Sequence, residues 1–406
     1  MIFRKYYLNK IKPFIGKPVI KAITGLRRVG KSTFIKQIIE YLQKEKGVKP
    51  ANIIYINKES LDFDFISNYK DLNDYVSKKI KNKKSKTYIF IDEIQEIEAF
   101  EKTIASWSGE PDKYDITITG SNSSMFSSEL ASKLTGRYID FPVYSFSFKE
   151  YKELYPNITS TEKLFENYMK YGGMPGLKIL EKLEDDSGFM FLRSIHDTIV
   201  LKDIVRRKNI RNVELLRNIC NFFYSNISNP TTALSINSFL KNQHIKSSVP
   251  SILAYIEGLT DAQLFYQCKR YDLKGKKHLE INSKYYASDI GLRHSQIGFS
   301  VKDFSNLLEN IVYLELKRRY DTVYTGEINS LEIDFIALKN TEPFYFQVCK
   351  NLDNDSTLQR EIKSLLAVKD NYPKYIITYD KYPQSDISGI KVINIIDFLL
   401  EFRDYL

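Results

Sequence analysis

Through residues 1–145, short apolar runs alternate with stretches in which apolar residues recur every three or four positions. The runs near 19–24, 53–56, 87–91, 115–119 and 138–141 predict buried strands. Between them, 31–46, 70–82 and 98–108 predict helices, the first with Phe34, Ile35, Ile38, Ile39 and Leu42 on one face. Such alternation argues for an α/β unit with a parallel sheet. From 146 to 218 the pattern is helical and amphipathic, broken at Tyr171-Gly-Gly-Met-Pro-Gly176. Residues 219–295 change character again. Two helical stretches, Ser235–Lys241 and Ser248–Leu259, are split by a short polar turn, and Pro250 suits the first turn of the second. Apolar runs at 264–271 and 281–287 then flank Asp272–His278, a hairpin with a basic tip that includes Lys274, Lys276 and Lys277. Two helices followed by a hairpin predict a winged helix-turn-helix. Residues 296–406 return to mixed α and β, with strands near 322–325, 331–337, 343–349, 374–378 and 391–394.

A chain of 406 residues exceeds one ordinary core, so several domains are expected. Its 43% hydrophobic and 27% charged residues describe a folded globular protein rather than a disordered one. No run of 18 apolar residues predicts a membrane span, and the first ten residues lack the apolar core of a secretion signal, so a cytoplasmic location is expected. Cys220, Cys268 and Cys349 lie far apart and the four histidines are scattered, a pattern that offers no zinc spacing. The net charge of +10 is compatible with an acidic partner such as nucleic acid and does not require one. The lysine-rich run 77–86 reads as a solvated helix end and turn.

The chemistry concentrates in three blocks. Gly25-Leu26-Arg27-Arg28-Val29-Gly30-Lys31-Ser32, followed by Thr33, is a complete G-x-x-x-x-G-K-[ST] loop between a predicted strand and a predicted helix. That arrangement aims backbone N–H groups and a helix N-terminus at one point, which suits a chain of phosphates. Gly25 and Gly30 allow tight turns and close approach, Lys31 is placed to bridge the β- and γ-phosphates, and Ser32 to offer its hydroxyl to Mg²⁺. Arg27 and Arg28, inside the loop, are candidates to touch the phosphates, the base or a neighbouring element. The second block, Thr87–Gln95, is an apolar strand ending in Asp92-Glu93. Asp92 is placed to hold the metal's shell and Glu93 to orient and deprotonate an attacking water. The third, Ile116–Ser123, ends a strand in small polar residues, so that Ser121, Asn122 or Ser123 would report on the γ-phosphate. Arg137, in Leu134-Thr-Gly-Arg137, is either a stabiliser of transition-state charge or a surface arginine.

With these blocks, the chain resembles the bacterial and archaeal AAA-type ATPases that carry a C-terminal domain of unknown function with a restriction-endonuclease-like fold. The resemblance rests on 25–32 with its double arginine, Ile89–Gln95, Thr119–Ser123, Leu134–Arg137, Phe141–Tyr151 and Tyr171–Pro175. It continues at Lys284–Leu292, Leu308–Asn310, Glu332–Ile336 and Phe346–Cys349. It implies ATP and Mg²⁺ as ligands, ATP hydrolysis, and coupling to nucleic acid. It also implies four parts: an AAA-type core at 1–145, a helical lid at 146–218, the winged helix-turn-helix at 219–295, and the nuclease-like α/β domain at 296–406. Arg137 would then act in its own site or in a neighbour's.

In the last part, Glu309, Asp334 and the Gln347 strand occupy the places of a metal-dependent nuclease's acids. Yet the strand reads Phe346-Gln-Val-Cys-Lys350. Alternation puts Gln347 and Cys349 on one face and Lys350 on the other. An amide replaces a carboxylate and the lysine is one residue out of register, so a degenerate site is expected.

Overall fold

The computed structural model describes residues 2–80, 85–122, 136–180, 182–275, 277–352 and 355–401. The chain divides into two compact units, Met1–Tyr144 with Asp261–Gln263, and Ser145–Thr260 with Leu264–Leu406.

The first unit begins with helix α1 (Lys5–Ile11). Its sheet comprises β1 (Ile20–Thr24), β2 (Ile53–Asn57), β3 (Thr87–Asp92), β4 (Tyr114–Gly120) and β5 (Tyr138–Pro142). All pair in parallel, in the order β2-β3-β4-β1-β5. Every strand therefore ends at the same edge, and the loops after β1, β3 and β4 gather there, where open α/β sheets bind ligands. Both β1 and β4 are buried along their whole length, as a sheet covered on two faces requires. Helices α2 (Lys31–Lys44), α3 (Tyr69–Lys79) and α4 (Glu101–Ser108) supply the cover. Ile54, Ile56, Ile89, Ile91, Ile116 and Ile118 pack with Leu72, Val76, Ile104 and Trp107 in one cluster. An Asn68–Asp71 capping box fixes the start of α3. Helix α4 starts at Glu101 and not near 98, because Ile94–Glu96 forms a 3₁₀ turn and Ala99 takes a left-handed φ of 52° that a right-handed helix cannot include.

The second unit opens with α5 (Phe148–Leu154), α6 (Thr161–Tyr171), α7 (Asp185–Thr198) and α8 (Val213–Ser225), with a π-helical stretch at Ile199–Val205. After the short β6 (Pro230–Thr231) come α9 (Ala233–Asn242), α10 (Val249–Asp261) and the antiparallel hairpin β7 (Phe265–Asp272) and β8 (Lys277–Ala287). Next follow α11 (Ile290–Ile297), α12 (Phe304–Arg319), β9 (Thr322–Ile328), β10 (Leu331–Lys339), β11 (Glu342–Cys349) and α13 (Asp355–Ala367). The chain closes with β12 (Lys374–Thr378), β13 (Asp386–Ile387), β14 (Ile390–Asn394) and α14 (Ile395–Leu400).

The hairpin does not stand apart. Strand β7 pairs in parallel with β9 from Arg270↔Thr325 to Asp272↔Glu327, so β6 to β14 form one nine-stranded sheet. That sheet crosses the division expected at residue 295. An Arg270–Glu327 ion pair at 2.7 Å reinforces the seam.

Two of the sequence blocks meet at Asp289. Its carboxylate accepts backbone N–H groups from Gly173 (2.8 Å), Gly291 (2.9 Å) and Leu292 (3.3 Å). A Cβ on Gly172 would lie 2.1 Å from Asp289 Oδ1, and one on Gly291 would lie 1.9 Å from the Tyr171 carbonyl. The glycines are there to let this approach happen. Burial lifts the Asp289 carboxyl to about 6 despite those donors.

Candidate nucleotide site

The loop after β1 turns on two glycines for different reasons. Gly25 has φ +153° and backs onto the Val143 carbonyl, which a Cβ would meet at 2.3 Å. Gly30 is left-handed at φ +95° and leads into α2, with open space where its Cβ would be. Leu26 and Val29 point inward and are buried, which anchors the loop, while Arg28 is exposed at φ 72°. Ser32 and Thr33, both half-buried, lie in the first turn of α2.

Lys31 is buried and donates to the Gly25 carbonyl at 2.8 Å and the Leu26 carbonyl at 3.2 Å. Its ammonium lies 3.6 Å from Glu93 Oε1. Asp92 and Glu93, at the end of β3, are both buried. The structure adds a residue that motif spacing did not single out. Thr119 Oγ1, on the neighbouring strand β4, donates to Asp92 Oδ1 at 2.5 Å and accepts from the Glu93 backbone N–H at 2.9 Å. Tyr55 on β2 donates its hydroxyl to Asp92 Oδ2 at 3.2 Å, and burial followed by that carboxylate raises the phenol's pKa. Only strand order, β2-β3-β4, reveals that these residues flank Asp92. Glu93 takes a left-handed φ of 55°. Its carboxylate accepts from Gln95 Nε2 and lies 3.9 Å from the Arg27 guanidinium, which also pairs with Glu59 at 2.7 Å.

Ser121 and Asn122 follow the end of β4 and so share the edge of the sheet with the loop. Ser123 lies outside the described residues. Arg137 is placed differently. It is exposed and immediately precedes β5, and its carbonyl accepts from Ile20 N–H at the start of β1. The loop follows the other end of β1, about 16 Å away by strand rise. Within its own chain, Arg137 does not join the phosphate site.

The residues present fit a nucleotide with its metal. The loop keeps open space beside Gly30, two buried acids stand at the strand end that shares its edge of the sheet, and Gln95, whose Nε2 donates to Glu93, has a buried Oε1 without a hydrogen-bond partner. Ser32 and Asp92 would hold Mg²⁺, which supplies charge neutralisation to the phosphates when bound.

The second unit gathers another set of charged side chains. Lys284 of β8, buried at 4% exposure, donates to Glu309 Oε1 of α12 at 2.9 Å and pairs with Glu332 of β10. Tyr286 donates its hydroxyl to the same Glu309 oxygen at 2.7 Å. Asp334 Oδ2 accepts from Val348 N–H at 2.8 Å. Gln347 bridges, accepting from Asp334 N–H at 2.6 Å and donating to Glu361 Oε2 of α13 at 2.9 Å. Burial holds the carboxyls of Glu309 and Asp334 above their usual range, Asp334 further so beside Glu309, with Lys284 opposing the rise in both. Lys350 is exposed and lies 5.6 Å over the Phe304 ring, away from this set, as strand alternation predicts.

A five-stranded parallel sheet with a phosphate loop after its first strand and an acid pair after its third defines a P-loop domain. Residues 17–152 match the family model of the AAA domain, and residues 162–303 match that of a domain of unknown function, DUF8612. An uncharacterised protein of Haemophilus influenzae is 36% identical over 99% of this chain and 99% of its own. Another, from Methanocaldococcus jannaschii, is 30% identical over 89% of this chain and 82% of its own. The chain belongs to the family of these proteins, and an AAA domain is its N-terminal part. Among solved structures, Cdc6p from Pyrobaculum aerophilum covers 76% of this chain and 93% of its own at 9% identity and TM-score 0.30, too distant to bear on function.

Proposed function

We propose that this chain is a Mg²⁺-ATP-hydrolysing switch. The observation that carries the reading is the meeting of Lys31 with Glu93, 3.6 Å from ammonium to carboxylate, beside Asp92 and at the mouth of a glycine loop. In this reading Lys31 leaves the loop carbonyls for the phosphates, which offer it stronger charge-assisted bonds. Thr119 holds Asp92 and the Glu93 backbone in register, and Glu93 orients the water and takes its proton. Gln95 and Arg27 hold the Glu93 carboxylate until the γ-phosphate arrives. Asn122 is placed to sense that phosphate. Arg137, one strand length away from the loop, is assigned in this reading to a neighbouring subunit's site.

A second reading makes the chain a DNA-binding module with a regulatory nucleotide site. The exposed Lys274 at the hairpin tip favours it, with Lys277 three residues further on in sequence. Lys276 falls outside the described residues. Against it, α10 carries Glu257 and Asp261 and no lysine or arginine, and Arg270 is already paired. We include a nuclease-derived fold for the last part in the proposal; what supports it is the α-β-β-β-α-β run from α12 to β12, with Glu309, Asp334 and Gln347 on α12, β10 and β11. Steady-state Mg²⁺-ATP hydrolysis with and without double-stranded DNA tests both readings. Turnover raised by DNA, in a salt-dependent manner, supports a DNA-coupled ATPase. Turnover indifferent to DNA assigns the switch to a protein partner, and no turnover rejects the ATPase.

A further inference from the structure

The carboxylates around Lys284 take no part in the chemistry above. We infer that the Lys284 ammonium is the resident cation of this cluster, standing where a nuclease of this plan holds a divalent metal, so that the C-terminal part binds no metal and cuts no phosphodiester. This inference rests on the proposed nuclease-derived fold.

Three observations lead to it. The cation arrives from an unexpected element. On β11 the position facing the cluster that would carry a nuclease lysine is Cys349, whereas Lys284 comes from β8 of the hairpin. The seam between β7 and β9 is what brings that hairpin against the sheet.

The second observation is how the acids are spent. A divalent ion such as Mg²⁺ or Mn²⁺ needs carboxylate oxygens converging on one point, with the remaining positions filled by water. Here Glu309 Oε1 takes both the Lys284 ammonium at 2.9 Å and the Tyr286 hydroxyl at 2.7 Å. Asp334 Oδ2 takes the Val348 N–H at 2.8 Å. Glu361 is engaged through Gln347 at 2.9 Å and through Arg360 at 2.7 Å. Among the described residues, no three histidine, cysteine or acidic side chains form a set that would hold a metal.

The third is charge. A buried lysine keeps its proton only where nearby acids outweigh the loss of water. Here the Lys284 ammonium, out of reach of water, has Glu309 Oε1 at 2.9 Å and Glu332 beside it. An ammonium so held would have to be expelled before a metal could enter.

The test uses the full chain without nucleotide, Mn²⁺ as probe, and direct binding measured by electron spin resonance. Wild type should show no Mn²⁺ site that Asp334→Asn removes. Lys284→Ala should gain such a site, and adding Asp334→Asn should abolish it. A wild-type site lost in Asp334→Asn would overturn the resident-cation role while leaving the nuclease-derived fold standing. A folded Lys284→Ala chain that gains no Mn²⁺ would overturn the fold reading, and the inference with it. Should Lys284→Ala not fold, the wild-type Lys284 ammonium resonance decides. A ¹⁵Nζ signal unbroadened by Mn²⁺ supports the inference, and a broadened one rejects it.

Discussion

Lys31 and Lys284 are both buried lysines facing carboxylates, and they differ in what holds them. Lys31 donates to two neutral loop carbonyls and stands 3.6 Å from Glu93. Lys284 donates to Glu309 at 2.9 Å and pairs with Glu332. A phosphate outcompetes neutral carbonyls for an ammonium, but it has little to offer an ammonium already matched by two carboxylates. A lysine beside acids is therefore not in itself a binding group. The charge on its present partners decides whether it can change them.

The largest effect expected from breaking this contrast lies in the first unit. Glu93→Gln keeps the size of the side chain and one acceptor oxygen for Gln95 but removes the base, so kcat for ATP should fall by about 10³-fold while nucleotide still binds, measured by turnover beside direct titration. Wild-type turnover in that variant would remove the water-activation role. In the second unit, Lys284→Met removes the cation and leaves Glu309 and Asp334, both half-buried, without it. That change should cost about 3 kcal/mol in denaturant unfolding, and Lys284→Met with Glu309→Gln should recover part of the loss.

A smaller effect sharpens the first site. Thr119→Val removes one hydroxyl that pins both Asp92 and the Glu93 backbone, so kcat should drop by about ten-fold, with KM for ATP moving less. Equal losses in kcat and KM would mean the strand end had collapsed instead.

The smallest effect is a pH dependence at Asp289. Its folded pKa of about 6 lies above the unfolded value of 3.8, so between those values the folded chain binds the extra proton. Stability from this group is thus gained as pH falls through 6 and lost as it rises. Going from pH 7 to pH 5 should stabilise wild type by about 1 kcal/mol relative to Asp289→Asn, read by chemical unfolding of both at each pH.

Much of the first unit is legible from the chain. Strands buried on both faces read as apolar runs, and the loop, Lys31 and the Asp92-Glu93 pair lie within short, ordered motifs. What spacing cannot carry is adjacency across a sheet. Thr119 and Tyr55 touch Asp92 because β4 and β2 flank β3, and no local pattern encodes that order. Arg137 shows the converse, being close to the motif blocks in sequence and at the far end of its strand in space. In the second unit the helix pair, the hairpin and the later strands were each visible. Their joining was not, because the β7–β9 pairing links residues more than fifty apart. Lys284 is the residue that this joining hides, since from its own strand nothing says which acids it will meet.

The measurement that bears most directly on the contrast is Mg²⁺-ATP affinity of the full chain and its Lys31→Ala variant, by equilibrium titration. The account predicts binding by wild type and a loss of about 100-fold in the variant, the worth of an ammonium's charge-assisted bonds to phosphate. Equal affinity in the two chains, or no binding by wild type, would contradict it.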